Sequence, residues 1–156
     1  MRAVITRVRS ASVAIGGEIH GQISRGFLVL LGIHVDDGPE EARKIADKIC
    51  GLRIFEDENG KINVDPVRAG AASLLIVSQF TLYADCRSRR PGFTQAARPE
   101  TAIPLYEQVI AECRARGFQV ETGVFGAEML VTSENDGPFT IILDTRELIR
   151  TPDKNL

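Results

Sequence analysis

Residues able to do chemistry are few in this chain. Only two histidines occur, His20 within an alternating run and His34 at the end of an apolar one. A Ser-His-Asp apparatus needs an imidazole held beside a nucleophile, and no Gly-x-Ser-x-Gly motif accompanies either histidine. Both are read as structural or solvent-facing. The segment Ser78-Gln79-Phe80-Thr81-Leu82-Tyr83-Ala84-Asp85 gathers hydroxyls, an amide and aromatic rings directly after an apolar run. The hydroxyls of Ser78 and Thr81 suit a polar substrate; taken alone, the segment reads first as a strand-end turn with satisfied hydroxyls. Arg87, Arg89, Arg90 and Arg98 fall between Cys86 and Pro99 with no acid among them, a local charge of +4 on a body left with −6. Such a loop can hold a few phosphates, and a solvated loop is the plain alternative. The acidic run Glu56-Asp57-Glu58-Asn59-Gly60 invites a calcium reading. With Gly60 sixth in an EF-hand loop, Phe55 falls at the first ligand position and Pro66 at the twelfth. Neither carries a carboxylate, so the reading fails and a solvated hairpin tip replaces it. No His/Asp/Glu cluster has metal-site spacing. Gly137-Pro138 reads as a trans turn by default, because only about 5–6% of such bonds in folded proteins are cis.

The elements that must position these groups are mostly short strands. Ala3-Val4-Ile5 and Val8 open the chain, and Ser12-Val13-Ala14-Ile15 meets Gly16-Gly17, a two-residue hairpin signal. Ile19, Gly21 and Ile23 share one face of the return strand, and Phe27 to Ile33 reads as a strand buried on both faces. A first helix starts at Asp36-Asp37-Gly38-Pro39, with a capping carboxylate and Ala42, Ile45, Ala46 and Ile49 as its inward stripe. A hairpin turns at Asn59-Gly60, and Ser73 to Val77 is another buried strand. A second helix runs from about Thr101 to Arg116, with Leu105, Tyr106, Val109, Ile110 and Cys113 inward and Gly117 as its stop. Two further strands, Met129–Thr132 and Phe139–Leu143, flank Asn135-Asp136-Gly137-Pro138. About eight strands and two main helices predict an α+β domain, a curled antiparallel-rich sheet or small β-barrel with helices on one side.

Size and charge narrow the function classes. The 156 residues suit a single domain with its own core. An apolar fraction of 44%, a charged fraction of 26% and a net charge of −2 exclude disordered and fibrous classes. They also exclude a protein that coats long nucleic acid, which would carry a basic excess. The three cysteines, Cys50, Cys86 and Cys113, are widely spaced without a Cys-x-x-Cys pair, so neither a disulfide framework nor a thiolate zinc site is expected. Cys86 is expected to be buried. The longest apolar run falls far short of the ~20 residues of a membrane helix, and no signal peptide is legible; a reducing cytoplasmic setting and no membrane partner are expected.

Four stretches together resemble the D-aminoacyl-tRNA deacylases: Met1-Arg2-Ala3-Val4-Ile5-Thr6-Arg7-Val8, Leu52-Arg53-Ile54-Phe55-Glu56-Asp57, Ser78-Gln79-Phe80-Thr81-Leu82, and Asn135-Asp136-Gly137-Pro138-Phe139-Thr140. Arg89-Arg90-Pro91, Ala96-Ala97 and Thr122 to Met129 agree as well, while Gly92 stands where the family pattern has a serine. The match runs in order from Met1 to about Leu143, giving a deacylase domain over residues 1–144 and a polar tail over 145–156 that is free to fray.

The resemblance implies a homodimeric tRNA-editing esterase acting at the 3′ end of aminoacyl-tRNA, with no cofactor and no metal. It implies that Ser78, Gln79, Phe80 and Thr81 line the pocket for the terminal adenosine and the aminoacyl group, with backbone amides near Phe80 and Thr81 as oxyanion donors and the tRNA 2′-hydroxyl assisting. Gly137 and Pro138 would form a cis dipeptide that enters the other subunit's pocket and selects chirality. Arg7, and with it Met129, would support that arrangement, and Arg87, Arg89 and Arg90 would meet tRNA. A glycyl ester, having no side chain to reject, would also be accepted. Three other readings stand beside this one. They are a sibling deacylase with a trans Gly-Pro bond that edits L-threonine on alanine tRNA, a non-enzymatic nucleic-acid-binding module, and an editing domain of a larger synthetase assembly.

Overall fold

The computed structural model describes residues 1–149. Its first element, β1 (Arg2–Ile15), is one fourteen-residue strand rather than two short runs. It turns through Gly16 and Gly17, both at positive φ, into β2 (Glu18–Ile23). Then β3 (Gly26–Gly32) returns along the same edge of β1. The opposite edge of β1 is covered by β8 (Leu130–Asp144). Beyond β3 the sheet continues in parallel through β6 (Ser73–Ser78) and β7 (Gln119–Thr122). The sheet is therefore mixed and antiparallel-rich, with three antiparallel pairings, β1 with β2, β3 and β8, beside the two parallel ones. It curls nearly into a barrel, because β2 swings back towards β7: His20 Nδ1 lies 2.8 Å from the Thr122 carbonyl oxygen. A separate small hairpin, β4 (Phe55–Glu56) with β5 (Ile62–Val64), carries the acidic run at its tip. Asp57 Oδ1 there accepts from the backbone N–H groups of Asn59 and Lys61.

Helices α1 (Pro39–Gly51) and α2 (Pro99–Ala115) pack against each other over one face of the sheet. Ala42, Ile45, Ala46 and Ile49 are fully buried, as their helical spacing requires. Burying one isoleucine stabilises by ~1.5–3 kcal/mol, so Ile45 and Ile49 together anchor α1 by roughly 3–6 kcal/mol before chain-ordering entropy is subtracted. Strands β3 and β6 read as continuous apolar runs because they have two cores to fill. Phe27, Val29, Leu31, Leu74 and Ile76 face the helices. Leu28, Leu75 and Val77 face a second cluster inside the curl, with Val8 and Val13.

Several local expectations are corrected. The carboxylate that caps α1 is not Asp36 or Asp37: the N-cap is Gly38, and its N–H donates to Glu41 Oε2 at 2.8 Å from the first turn. Asp37 is used instead to accept from the His34 N–H at 2.7 Å. Ile19 is 57% exposed, since a register shift between Val13 and Ala14 leaves the end of β2 outside the core. Strand β7 has no counterpart in the sequence reading. The two strands expected around Asn135–Pro138 are one strand, β8, and the residues between them are not a turn. The tail is not wholly free to fray: Thr145–Leu148 form a short helix, α3, and Thr145 is buried with its N–H donating to the Met1 carbonyl at 2.9 Å. The rest of the tail lies outside the described residues.

Candidate active site

Strands β3 and β6 run parallel and end side by side, with Leu31 opposite Ser78. The Gln79 N–H still donates to the Leu31 carbonyl at 2.8 Å, after which the chain folds into a 3-10 turn over Phe80–Tyr83. The first N–H groups of such a turn have no partner within it, and those of Phe80 and Thr81 find no acceptor among the described residues. Ser78 and Gln79 are half-buried; Phe80 and Thr81 are exposed. Thr81 Oγ1 accepts a short hydrogen bond from Gln79 Nε2. Among the described residues no histidine, carboxylate or amine bonds to Thr81, so it lacks the base that would make it a nucleophile. Tyr83 braces the turn from below, its ring edge-on to His34 at 5.1 Å and beneath the Arg2 guanidinium at 4.7 Å. Burial, with the Asp37 and Asp144 carboxylates nearby, pushes its hydroxyl well above the ordinary tyrosine range.

A cavity of about 320 Å³ opens at this strand end. Ser78, Gln79 and Phe80 form one wall, Ala97 just before α2 and Ala102 in its first turn a second, and the loop Phe125–Met129 a third. The lining is mostly apolar with a few convergent polar groups, as small-molecule sites are. Met129 reaches it because position 123 is glycine: a Cβ there would stand 2.3 Å from Met129 Sδ. Phe125 is held edge-on to Tyr106 at 6.3 Å, and the Tyr106 hydroxyl donates to the Ile76 carbonyl at 2.6 Å.

The second group of expected site residues lies elsewhere. Along the β1–β8 pairing, Thr6 faces Thr140 and Val8 faces Asn135. One residue of β1, Arg7, therefore stands opposite four of β8, Asp136 to Phe139, which leave the ladder as an excursion. The Gly137–Pro138 bond within it is cis, and Gly137 has φ +147°. A Cβ on Gly137 would come within 2.8 Å of the Phe139 nitrogen, so glycine is the residue that fits. Arg7 is only 9% exposed. Its Nε donates to the Asp136 carbonyl at 2.9 Å and its Nη1 to the Ile54 carbonyl at 2.6 Å, while the guanidinium lies over the Phe139 ring at 4.8 Å. Asn135 Oδ1 accepts from the Phe139 N–H at 2.9 Å and closes the excursion. Gly137 and Pro138 themselves are exposed. At about 3.3 Å per residue, the strand from Met129 to Asn135 spans roughly 20 Å, so within one chain this tip stands far from the cavity.

The basic loop joins the cavity at its rim. Asp85 and Gly92 pair across its base, and Phe93 meets Phe80 edge-to-face at 5.0 Å. Arg87 is tied back to Asp85 at 2.6 Å, and the guanidinium holds that carboxyl below its usual range. Arg89 and Arg90 are exposed and have no ion pair among the described residues. Cys86 is exposed rather than buried, because it starts this loop; Cys50 and Cys113 are buried between the helices. His34 is buried against Arg146, with Nε2 2.7 Å from Nη2, and His20 is exposed, so neither stands at the cavity. Among the described residues no three His, Cys, Asp or Glu side chains come together as a metal site. No helix among them is long and apolar enough to cross a membrane.

The family model described as D-Tyr-tRNA(Tyr) deacylase matches residues 4–144. The chain belongs to that deacylase family. A D-aminoacyl-tRNA deacylase of Thermus aquaticus is 55% identical over 148 residues, 94% of this chain and 97% of the relative. One of Koribacter versatilis is also 55% identical, over 94% of this chain and 99% of its own length. A solved structure described as c-Myc DNA Unwinding Element Binding Protein superposes with a TM-score of 0.85 at 40% identity, over 92% of this chain and 98% of that one. A probable eukaryotic D-amino acid tRNA deacylase has the same fold, with a TM-score of 0.78 at 19% identity, over 91% of this chain and 97% of that one. The chain is thus an enzyme of the deacylase family, and the curled sheet with two main helices is that family's fold.

Of the residues singled out from sequence, the structure brings Ser78, Gln79, Phe80 and Met129 to one cavity and places Thr81 just outside its lining. It groups Arg7, Gly137 and Pro138 at the excursion. Sequence reasoning missed the wall supplied by Ala102 and by Phe125 to Glu128. The legible signal was Gly123-Val124-Phe125-Gly126, two glycines flanking a lone aromatic after a strand.

Proposed function

We propose that this deacylase hydrolyses the ester between a D-amino acid and the terminal adenosine of tRNA, and that two copies of the chain make each complete site. The carrying observation is the separation of the two residue groups: a mostly apolar cavity with Ser78 to Phe80 on its wall, and a rigidly held backbone tip roughly 20 Å along the strand. The tip serves a second copy's cavity. Supporting this, β8 pairs only with β1 among the described strands, so it is an open edge of fifteen residues. It exposes Leu130 and Ile142, at 70% and 68%, the kind of edge that natural sheets cover.

In this reading the Gly137 and Pro138 backbone stands against the α-carbon of the bound aminoacyl group. A fixed main-chain wall leaves room for hydrogen and not for a side chain. An L residue aims its side chain at the wall and is excluded, and a glycyl ester enters. The ester is already activated, so the protein positions a water and stabilises the oxyanion that forms when the water attacks the carbonyl carbon. The free N–H groups of Phe80 and Thr81 are the donors suited to that oxyanion. The departing ribose 3′-oxygen takes a proton relayed by the neighbouring 2′-hydroxyl, which accounts for a cavity without a histidine. Exposed Arg89 and Arg90 meet backbone phosphates nearby.

The test is deacylation of D-tyrosyl-, L-tyrosyl- and glycyl-tRNA by the purified protein, with its mass in solution measured alongside. Hydrolysis of the D and glycyl esters, sparing of the L ester and a dimer are expected. Equal hydrolysis of both tyrosyl esters, or an active monomer, refutes the shared wall. The structural neighbour named for DNA binding favours a second reading as a nucleic-acid-binding module. Salt-sensitive binding of any RNA or DNA without ester hydrolysis is its signature.

A further inference from the structure

A second cavity, of about 650 Å³, adjoins the first and is not used by the chemistry above. Phe93, Thr94, Ala96, Ala97, Arg98 and Thr101 line most of it, and Ala97 lines both cavities. The partition between them carries two exposed aromatic rings, Phe80 at 54% and Phe93 at 39%, in edge-to-face contact. That contact leaves a face of Phe93 turned from Phe80. Within the lining, Ala96 and Ala97 are half-buried and their small side chains leave space for a flat ring, while Thr94, Thr101 and Arg98 are exposed. Charge points the same way: Arg89, Arg90 and Arg98 lie in a segment without a carboxylate, on a body of net −6.

We propose that this cavity is a subsite for the penultimate nucleotide of the RNA 3′ end. The base stacks on Phe93, and its phosphate is met by Arg98 and the hydroxyls of Thr94 or Thr101. The proposal rests on the function proposed above, because the last nucleoside must occupy the first cavity for the preceding one to reach the second. The observations select single-stranded nucleic acid over a peptide: an exposed aromatic face beside arginines that have no ion pair among the described residues is how proteins hold unstacked bases, and the pocket is wide enough for one.

The experiment compares two minimal substrates, the D-tyrosyl ester of adenosine and that of cytidylyl-(3′,5′)-adenosine, on wild type, Phe93→Leu and Arg98→Gln. Leucine keeps apolar bulk at 93 and removes the stacking face. Wild type is expected to gain roughly tenfold in kcat/KM from the added cytidine, through KM, as one stacked base contributes. Phe93→Leu is expected to reduce that gain to within about twofold, and Arg98→Gln to reduce it partly and to flatten its salt dependence. A wild type that gains nothing from the cytidine, or a gain that survives in Phe93→Leu, overturns the subsite. A wild type that hydrolyses neither ester refutes the proposed function instead. The subsite is then judged by equilibrium binding of unacylated cytidylyl-adenosine against adenosine, where tighter binding of the dinucleotide, lost in Phe93→Leu, supports it and equal binding overturns it.

Discussion

Replacing Arg7 tests how the tip is held. The side chain is nearly buried and donates to two backbone carbonyls, of Asp136 at 2.9 Å and of Ile54 at 2.6 Å. A hydrogen bond from a charged donor contributes about 1.5–3 kcal/mol. The Ile54 bond is fully buried and belongs at the upper end; the Asp136 bond is partly exposed and belongs at the lower. Stacking over Phe139 and Phe55 adds ~0.5–2 kcal/mol. Relaxation of the excursion into solvent recovers part of the sum, so Arg7→Ala is expected to destabilise by about 3 kcal/mol. For a domain of this size that lowers Tm by roughly 6–12 °C. Arg7→Lys can reach one carbonyl, not both, and is expected to lose about half as much. Denaturant melts give the stability, and parallel hydrolysis of D- and L-tyrosyl-tRNA gives the ratio of the two rates. Both variants are expected to narrow that ratio, alanine more than lysine. Arg7→Ala within 0.5 kcal/mol of wild type, a surface-like value on the scale of ~0.5 kcal/mol, refutes the energetic argument. A destabilised variant with an unchanged ratio refutes the link between Arg7 and selectivity.

Three further outcomes follow from the same geometry. Gly123→Ala forces Met129 from its position, at a stability cost of roughly 1 kcal/mol; adding Met129→Ala removes the clash, so the double variant is expected to lose less than the sum of the two single losses, and strict additivity counts against the contact. Thr81→Ala, which removes only the bond from Gln79, retains deacylation within about tenfold, and a folded but inactive variant makes Thr81 a chemical participant. Burial pushes both tyrosines, Tyr83 and Tyr106, upward, so the fold favours their protonated forms. Stability is therefore complete below the unfolded tyrosine value of about 10 and falls as pH rises above it. With no tryptophan and only these two tyrosines present, tyrosinate absorbance reads this directly. It is expected to stay flat through pH 10 and to rise only with unfolding; an ordinary titration near pH 10 refutes the burial argument.

Much of this protein was written locally. Helix α1 follows from apolar residues at i, i+3, i+4 and i+7, and β3 and β6 from unbroken apolar runs, because burial rewards those periods wherever the element sits. Gly16-Gly17 turned a hairpin because a two-residue loop with both residues at positive φ matches the twist of its strands. The segment Ser78–Thr81 read by composition as a strand-end turn, and only its likeness to the deacylases singled it out as a candidate site. What local pattern did not contain was partnership. Whether Asn135–Pro138 ended one strand or bulged from the middle of another depended on β1 running unbroken beside it, over a hundred residues away in sequence. Nor could spacing place the Phe125–Met129 loop on the wall opposite Ser78, since that wall exists only after β6 and α2 have packed. Residue types and their periods fix which surfaces must be buried. Which remote segments bury them together, and so where a cavity opens and a backbone tip protrudes, is settled only by the long-range pairing of the whole chain.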